Sequence, residues 1–283
     1  MSLPVQQAAT AACHAGTGCL HVERVDGLSA AVSVESTSPL KLLVPRPRGE
    51  SVWAYFSSFG GGLVAGDETR VDLRLAAHTK CFVSTQASTK VYRNPLGRPC
   101  GHHLSATLGE GSLLVLAPDP VQAFAGSSYA QRQEFRLQAG ASLALVDWFT
   151  SGRTARGERW DFTRFQSRND IVLGDERLLV DSLLLDATDG ALEGSHRMGR
   201  FNCLALVVLV GVAWREIAPQ LLTDIAIQPV ARRAALVSSA SPIREGALLR
   251  IAGESVEDVG REIHRHLAFL RDLLGDDPFA RKW

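Results

Sequence analysis

From Thr69 to Leu75 every second residue is charged, with Val71, Leu73 and Leu75 in the alternate positions: Thr69-Arg70-Val71-Asp72-Leu73-Arg74-Leu75. A period of two sends successive side chains to opposite faces. The segment therefore predicts a strand with one buried and one wet face. Glu134 to Leu137 repeats the alternation. Ser112 to Ala117 (SLLVLA) and Ser142 to Phe149 (SLALVDWF) are short apolar runs flanked by glycine. They suit strands buried more deeply. Leu178 to Leu185 and Cys203 to Val212 are two further strand candidates. Glycine or Asp/Asn turn signals separate most of these segments at intervals of about ten residues, the rhythm of an all-β stack of sheets.

Helix signals are few. Ser255 can cap an acidic first turn through Glu257 and Asp258. Val259, Ile263, Leu267, Leu270 and Leu274 then recur at three- or four-residue steps up to Gly275. This predicts one amphipathic C-terminal helix of about five turns. A weaker helical pattern spans Ala213 to Leu222. Residues 1–18 are rich in Ala, Gln and Thr and predict a loose N-terminal tail. There is no internal repeat and no low-complexity linker. The expectation is a mainly β chain whose residues 19–283 form a single domain with the C-terminal helix packed on it.

The 283 residues, 46% of them hydrophobic, suffice for a sizeable core. Thirty basic residues balance thirty acidic ones, which argues against a nucleic-acid binder. Five cysteines at scattered positions, with no CxxC pair, fit neither a disulfide framework nor a structural zinc site. The first thirty residues hold no apolar secretory core. The longest apolar run, Cys203 to Trp214, is twelve residues, against roughly 20 for a membrane span. A soluble, reduced, cytoplasmic protein is expected.

Several segments resemble chemical motifs. Phe59 to Asp67 holds the densest glycine cluster. Gly60-x-Gly62-x-x-Ala65 imitates a dinucleotide loop, but strand-like alternation follows where a helix should open. Gly61-x-x-x-x-Gly66 has P-loop spacing, but Asp67 and Glu68 would repel phosphate. A tight turn needing positive φ at Gly60, Gly61, Gly62 and Gly66 is the simpler reading. Asp67 is then either a turn acceptor or a functional carboxylate. Ser84 to Arg93 is a polar run that reads either as an exposed edge strand guarded by Lys90 and Arg93 or as the lining of a wet channel. Asp147 to Arg168 gathers five arginines with Trp148 and Trp160, residue types enriched at interfaces. A solvated loop with weak surface ion pairs is the alternative.

The histidines make poor metal evidence. His102 and His103 are adjacent and would face opposite sides of a strand. His264 and His266 cannot share one helical face. His14 and His21 flank Cys19, near Cys13, and offer at most loose binding. Nothing matches a GxSxG elbow or an HExxH helix, so no catalytic residue is assigned.

Five ordered blocks carry a family resemblance. Gly60-Gly61-Gly62-Leu63-Val64-Ala65-Gly66-Asp67 resembles the GG-x-V-x-GD signature of the UreD/UreH urease accessory proteins. Thr85-Gln86-Ala87-Ser88-Thr89-Lys90-Val91-Tyr92-Arg93 is similar to their TTQ-x-x-TK-V-Y-R block, with Ser84 where threonine is common. Pro118-Asp119-Pro120 with Phe124, Asp147-Trp148-x-Thr150-Ser151-Gly152-Arg153 and Arg156-Gly157-Glu158-x-Trp160 resemble three more. The resemblance implies stacked, mixed β-sheets in β-helix-like layers with a few short helices. It implies no catalysis and no tightly bound cofactor. The implied partners are the urease apoprotein, a helical UreF-type protein and, through it, a UreG-type GTPase, with neither nucleic acid nor membrane involved. Ni²⁺ would pass transiently along a polar internal route on weak oxygen contacts. Asp67, Asp147 and Glu158 are then candidates for a carboxylate-lined route, and Thr85, Gln86 and Lys90 for its polar lining. Arg153, Arg156 and Trp160 would fix a wall or touch a partner. Two alternatives are a pure assembly scaffold that holds urease open and a hydrolase with dispersed carboxylates.

Overall fold

The structure is a computed structural model that describes residues 15–46 and 49–280. The chain opens with β1 (Thr17–Val25), β2 (Leu28–Ser36), β3 (Leu40–Leu43), β4 (Val52–Ser58), β5 (Glu68–Leu75) and β6 (Lys80–Thr85). Next come β7 (Thr89–Val91), β8 (Cys100–Leu108), β9 (Leu113–Leu116), β10 (Val121–Ala123), β11 (Ser128–Leu137) and β12 (Ser142–Thr150). β13 (Arg164–Leu173), β14 (Glu176–Asp186) and β15 (Cys203–Gly211) follow. The chain closes with α1 (Ile217–Ala226), β16 (Leu236–Ile243), β17 (Gly246–Gly253), α2 (Val256–His266) and α3 (Leu270–Leu274).

The strands form two sheets. The first has seven strands in the order β14-β13-β11-β8-β5-β1-β2. The second has ten, with the path β16-β17-β15-β12-β9-β6-β4-β3, and β7 and β10 attached at its side. From β4 to β13 the long strands alternate between the sheets. Each lies parallel to the preceding strand of its own sheet, as in β4·β6·β9·β12 and β5·β8·β11·β13. This is a solenoid path, the β-helix-like layering expected. β7 and β10 pair in parallel on a short third face. Antiparallel partners close the ends: β2 and β3 at one, β14 and the β15-β17-β16 meander at the other.

Two apolar layers explain the two kinds of sequence segment. One core lies between the sheets and includes Leu73, Ala106, Phe135 and Ile171 facing Val83, Leu116, Leu145 and Val208. The second covers the other face of the larger sheet, where Trp53, Phe82, Val115 and Val207 meet Trp214, Leu221, Ile263 and Leu270. Strands β6, β9, β12 and β15 are buried on both faces and so read as unbroken apolar runs. The smaller sheet has a wet outer face, and its strands alternate. There Asp72–Arg74, Arg132–Glu134 and Arg168–Asp170 form ion pairs along their own strands, each worth about 0–1 kcal/mol.

The helices depart from expectation in detail. A short 3₁₀ turn at Val212–Trp214 precedes α1, which starts at Ile217 rather than Ala213. The single C-terminal helix is two. Ser255 caps α2 by accepting from the Asp258 amide at 3.3 Å. Leu267 then leaves helical geometry (φ −109°, ψ 12°). A straight helix over Val256 to Leu274 would run about 28 Å. The bend instead keeps Leu267, Leu270 and Leu274 buried in the outer core. β1 begins at Thr17, two residues inside the expected tail. Cys13 and His14 lie outside the described residues. Cys19, Cys81, Cys100 and Cys203 are unbridged. No described helix is long and apolar enough to cross a membrane.

Candidate functional site

Parallel pairing stacks like positions of successive coils, so one polar residue repeated at an inward position becomes a ladder. Thr69 on β5, His102 on β8, Gln131 on β11 and Ser167 on β13 are consecutive cross-strand neighbours. In the next row Leu104, Gln133, Asn169 and Asp181 are neighbours across β8, β11, β13 and β14. The row beyond is apolar: Leu73, Ala106, Phe135 and Ile171. The polar rows thus cross the sheet at one level of an otherwise hydrophobic interior.

Asp147 on β12 meets the ladder from the opposite sheet. Its carboxylate accepts from Gln131 Nε2 at 3.0 Å, Ser167 Oγ at 2.6 Å and Asn169 Nδ2 at 2.8 Å. It also lines two cavities. The smaller, about 170 Å³, lies between the sheets among Phe56, Thr69, Thr85, His102, Gln131 and Gln133 and reaches exposed Gln86 and Ala87. The larger, about 500 Å³, is lined by Ser167, Asp181, Ser182, Ser238, Ser239 and Arg250 among others. Asp147 is common to both. At the larger cavity Arg250 of β17 donates to Asp181 of β14 at 2.8 Å, an ion pair joining the two sheets.

Burial pushes the Asp147 carboxyl above its ordinary value, against the pull of its three donors and with a small upward push from Asp181. Burial also lowers His102, to about 4. The Thr69 hydroxyl sits 2.8 Å from His102 Nδ1 and 3.3 Å from the Gly101 carbonyl. A Thr69 hydroxyl that donates to Gly101 leaves Nδ1 as the donor and Nε2 with its lone pair, the tautomer a ligating ring needs. Two side-chain groups of the ladder are orphaned among the described residues. One of them is the buried Asn169 Oδ1, which has no donor; the other, Gln133, is 3% exposed and opens onto the smaller cavity without a side-chain hydrogen bond. In the larger cavity Ser238 Oγ is likewise unsatisfied. Each such group costs about 1–3 kcal/mol when left without a partner.

The expected residues divide. Asp147, Thr85 and Gln86 line the smaller cavity. Thr85 Oγ1 accepts from the Asp119 amide at 2.7 Å, and Gln86 Oε1 accepts from Ser57 Oγ at 2.6 Å. Lys90 is exposed on β7 and lines neither cavity. The polar run divides: Ser84 and Thr85 are buried, whereas β7, with Lys90 exposed, has β10 as its one strand neighbour among the described residues. Asp67 also lines neither cavity. Its Oδ2 accepts from the Val64 amide at 2.9 Å, which makes it the acceptor that closes the glycine turn. Gly60, Gly61 and Gly66 have positive φ. Gly62 does not; a Cβ there would stand 2.5 Å from the Lys90 carbonyl oxygen, so close approach is what demands glycine.

Glu158 is held away from both cavities. Its Oε2 accepts from Arg153 Nε at 2.9 Å and from the Ala125 amide at 3.3 Å. The Arg153 guanidinium lies 4.2 Å over the Phe124 ring. The hydrogen bond from Arg153 lowers Glu158, and the same bond raises Arg153. Trp160, 4% exposed, is core: it packs edge-on to Phe149 and Phe162 and donates to the Phe201 carbonyl at 3.0 Å. Of this group Arg156 alone is fully surface-placed.

His102, Gln131, Gln133, Ser167, Asn169 and Asp181 escaped sequence reasoning. Their signal was a polar residue at the inward position of an alternating strand, as in Tyr129-Ala130-Gln131-Arg132-Gln133. No three His, Cys, Asp or Glu side chains converge on one metal position among the described residues. The larger cavity holds two carboxylates, but Arg250 pairs with Asp181 and three donors occupy Asp147.

Residues 14–283 match the family described as UreD urease accessory protein. The chain belongs to the UreD family. It is 48% identical over 270 residues to the urease accessory protein UreD of Sorangium cellulosum, covering 95% of this chain and 85% of that protein. Identity is 42% over 267 residues to the UreD of Anaeromyxobacter, covering 94% and 89%. It is 35% over 294 residues to urease accessory protein D of Arabidopsis thaliana, covering 93% and 99%. The resemblance read from the ordered blocks is therefore correct, and the UreD fold here is the stacked β architecture it implied.

Proposed function

We propose that this urease accessory protein carries Ni²⁺, as cargo, through its interior on the way to apo-urease. Asp147 carries the reading: one buried carboxylate lines both cavities and is bonded to the polar ladder between them. A cation crossing between two sheets needs oxygen donors at each stage and one anionic station, and it must be able to leave. Carboxylate, amide and hydroxyl oxygens bind first-row divalent ions weakly enough to exchange. Thr85 and Gln86 sit on the smaller cavity, and Asp181 on the larger. Asp67 and the Arg153–Glu158 pair set the shape of turns and walls, while Lys90 and Arg156 are placed to touch partners. The supply side is a UreF/UreG-type GTPase complex and the receiver is the urease apoprotein, all in the cytoplasm, with no tightly held cofactor, nucleic acid or membrane.

Activation of urease in cells expressing the complete cluster tests this, alongside pull-down of the tagged chain. Asp147→Ala is expected to recover urease and the GTPase as the wild type does, yet lower activation about 10- to 100-fold. Full activation with the variant folded removes the conduit and leaves a scaffold that holds urease open. Recovery of neither partner by the wild type defeats both.

A further inference from the structure

We infer that His102 is the nitrogen ligand by which the smaller cavity prefers a late first-row divalent ion over Mg²⁺ and Ca²⁺. The inference rests on reading the interior as a cation route and names the group that sorts cations there. Apart from Trp148, whose indole N–H donates to the Pro118 carbonyl, the other polar side chains around this cavity offer a cation oxygen: Thr85, Asp119, Gln131, Gln133 and Asp147 among them. Oxygen sets alone serve Mg²⁺ and Ca²⁺ well. Imidazole nitrogen suits nickel, copper and zinc instead. One nitrogen among oxygens therefore changes which ion the cavity favours.

The ring is held for that task. Nδ1 is fixed by Thr69 at 2.8 Å, and Phe56 from the opposite sheet lies against the ring with centroids 6.2 Å apart. Such an outer contact sets the tautomer and the direction of a ligating histidine. Nε2 is the nitrogen left without a partner among the described residues. A second, independent observation is Gln133. Its side chain lines the same cavity, is 3% exposed and makes no side-chain hydrogen bond among the described residues. Gln131 is the direct cross-strand neighbour of His102, and Gln133 is one step along the same strand. His103 does not contribute; it faces outward to Glu68 at 3.4 Å. With no third His, Cys, Asp or Glu converging among the described residues, the ion is sorted and not trapped.

Nitrogen-15 spectra of the full chain test this, titrated first with Ni²⁺ and then with excess Mg²⁺. Resonances of His102 are identified by their loss in His102→Gln. Paramagnetic Ni²⁺ is expected to broaden the His102 ring signals before those of the exposed histidines, and Mg²⁺ to leave them unmoved. His102→Gln is expected to weaken Ni²⁺ binding about 10- to 100-fold while Mg²⁺ binding stays the same. Asp147→Asn weakens both ions. Broadening at amides around Asp147 that spares the His102 ring overturns the inference and leaves the route standing. Equal loss of Ni²⁺ and Mg²⁺ in His102→Gln does the same. No effect of Ni²⁺ on any group lining either cavity overturns both. If His102→Gln does not fold, His102→Asn takes its place for both the assignment and the titrations.

Discussion

A carboxylate buried between two sheets costs several kcal/mol unless its oxygens are bonded, and Asp147 receives three donors. They do not fully offset burial, since its folded pKa still lies above the ordinary value. The sign follows. The folded state holds this proton to higher pH than the unfolded chain, so stability falls as pH rises from about 4 through the raised value, then levels. Asp147→Asn is expected to flatten that fall. At pH 7 it should change unfolding free energy by no more than about 1 kcal/mol, because an amide oxygen keeps part of the donor set. Urea titrations at several pH values check this. Glu158 shows the opposite sign. Arg153 depresses its pKa, so its contribution is present above about 4.3 and lost on acidification. Glu158→Gln is expected to cost about 1 kcal/mol at neutral pH and to leave nickel uptake unchanged, as denaturation and metal titration together would show. Asp147, Thr85 and Gln86 were legible because a polar residue within or beside an apolar run stands out. His102 was not: adjacent histidines reveal that they face opposite sides, but not that one side holds a cavity.

Elements were legible where burial was simple. Alternation marked β5, and unbroken apolar runs marked β9 and β12, because the larger sheet is covered on both faces. The C-terminal periodicity reads two helices as one, since it records which residues are buried and not whether the axis bends. Val259 through Leu274 keep one apolar face across two helices because the face follows the sheet below. The glycine block was right about Gly60, Gly61 and Gly66 and wrong about the cause at Gly62, where contact with β7 is visible only once the third face is formed. Gly62→Ala sets its Cβ against the Lys90 carbonyl and the Tyr92 ring. A loss of about 1–3 kcal/mol is expected in chemical denaturation. Gly60→Ala meets no atom within 4 Å and should cost about 1–2 kcal/mol from its left-handed backbone alone.

At the scale of the molecule, β14 is an edge strand tied to the opposite sheet's terminal hairpin by Arg250–Asp181 and Arg244–Glu176. Replacing both arginines by alanine is expected to speed amide exchange in β14 and β16 while β5 and β8 stay protected, measured by hydrogen–deuterium exchange. The ladder itself belongs to this scale. Its rungs lie some thirty residues apart in sequence and become neighbours only through parallel register, which no local pattern encodes. The same long-range closure has a consequence for how the chain is born. Ser51 donates to the Leu274 carbonyl at 2.9 Å, across 223 positions, and the helices that cover Trp53, Phe82 and Val115 leave the ribosome well after those strands. At about 5–20 residues per second, Trp53 waits on the order of ten to forty seconds for Leu274. Through that interval an apolar sheet face stands bare in a crowded cell. A nascent chain arrested before Val256 should therefore be recovered bound to chaperones or in the pellet, whereas one released after Leu274 has carried its own lid out of the exit tunnel.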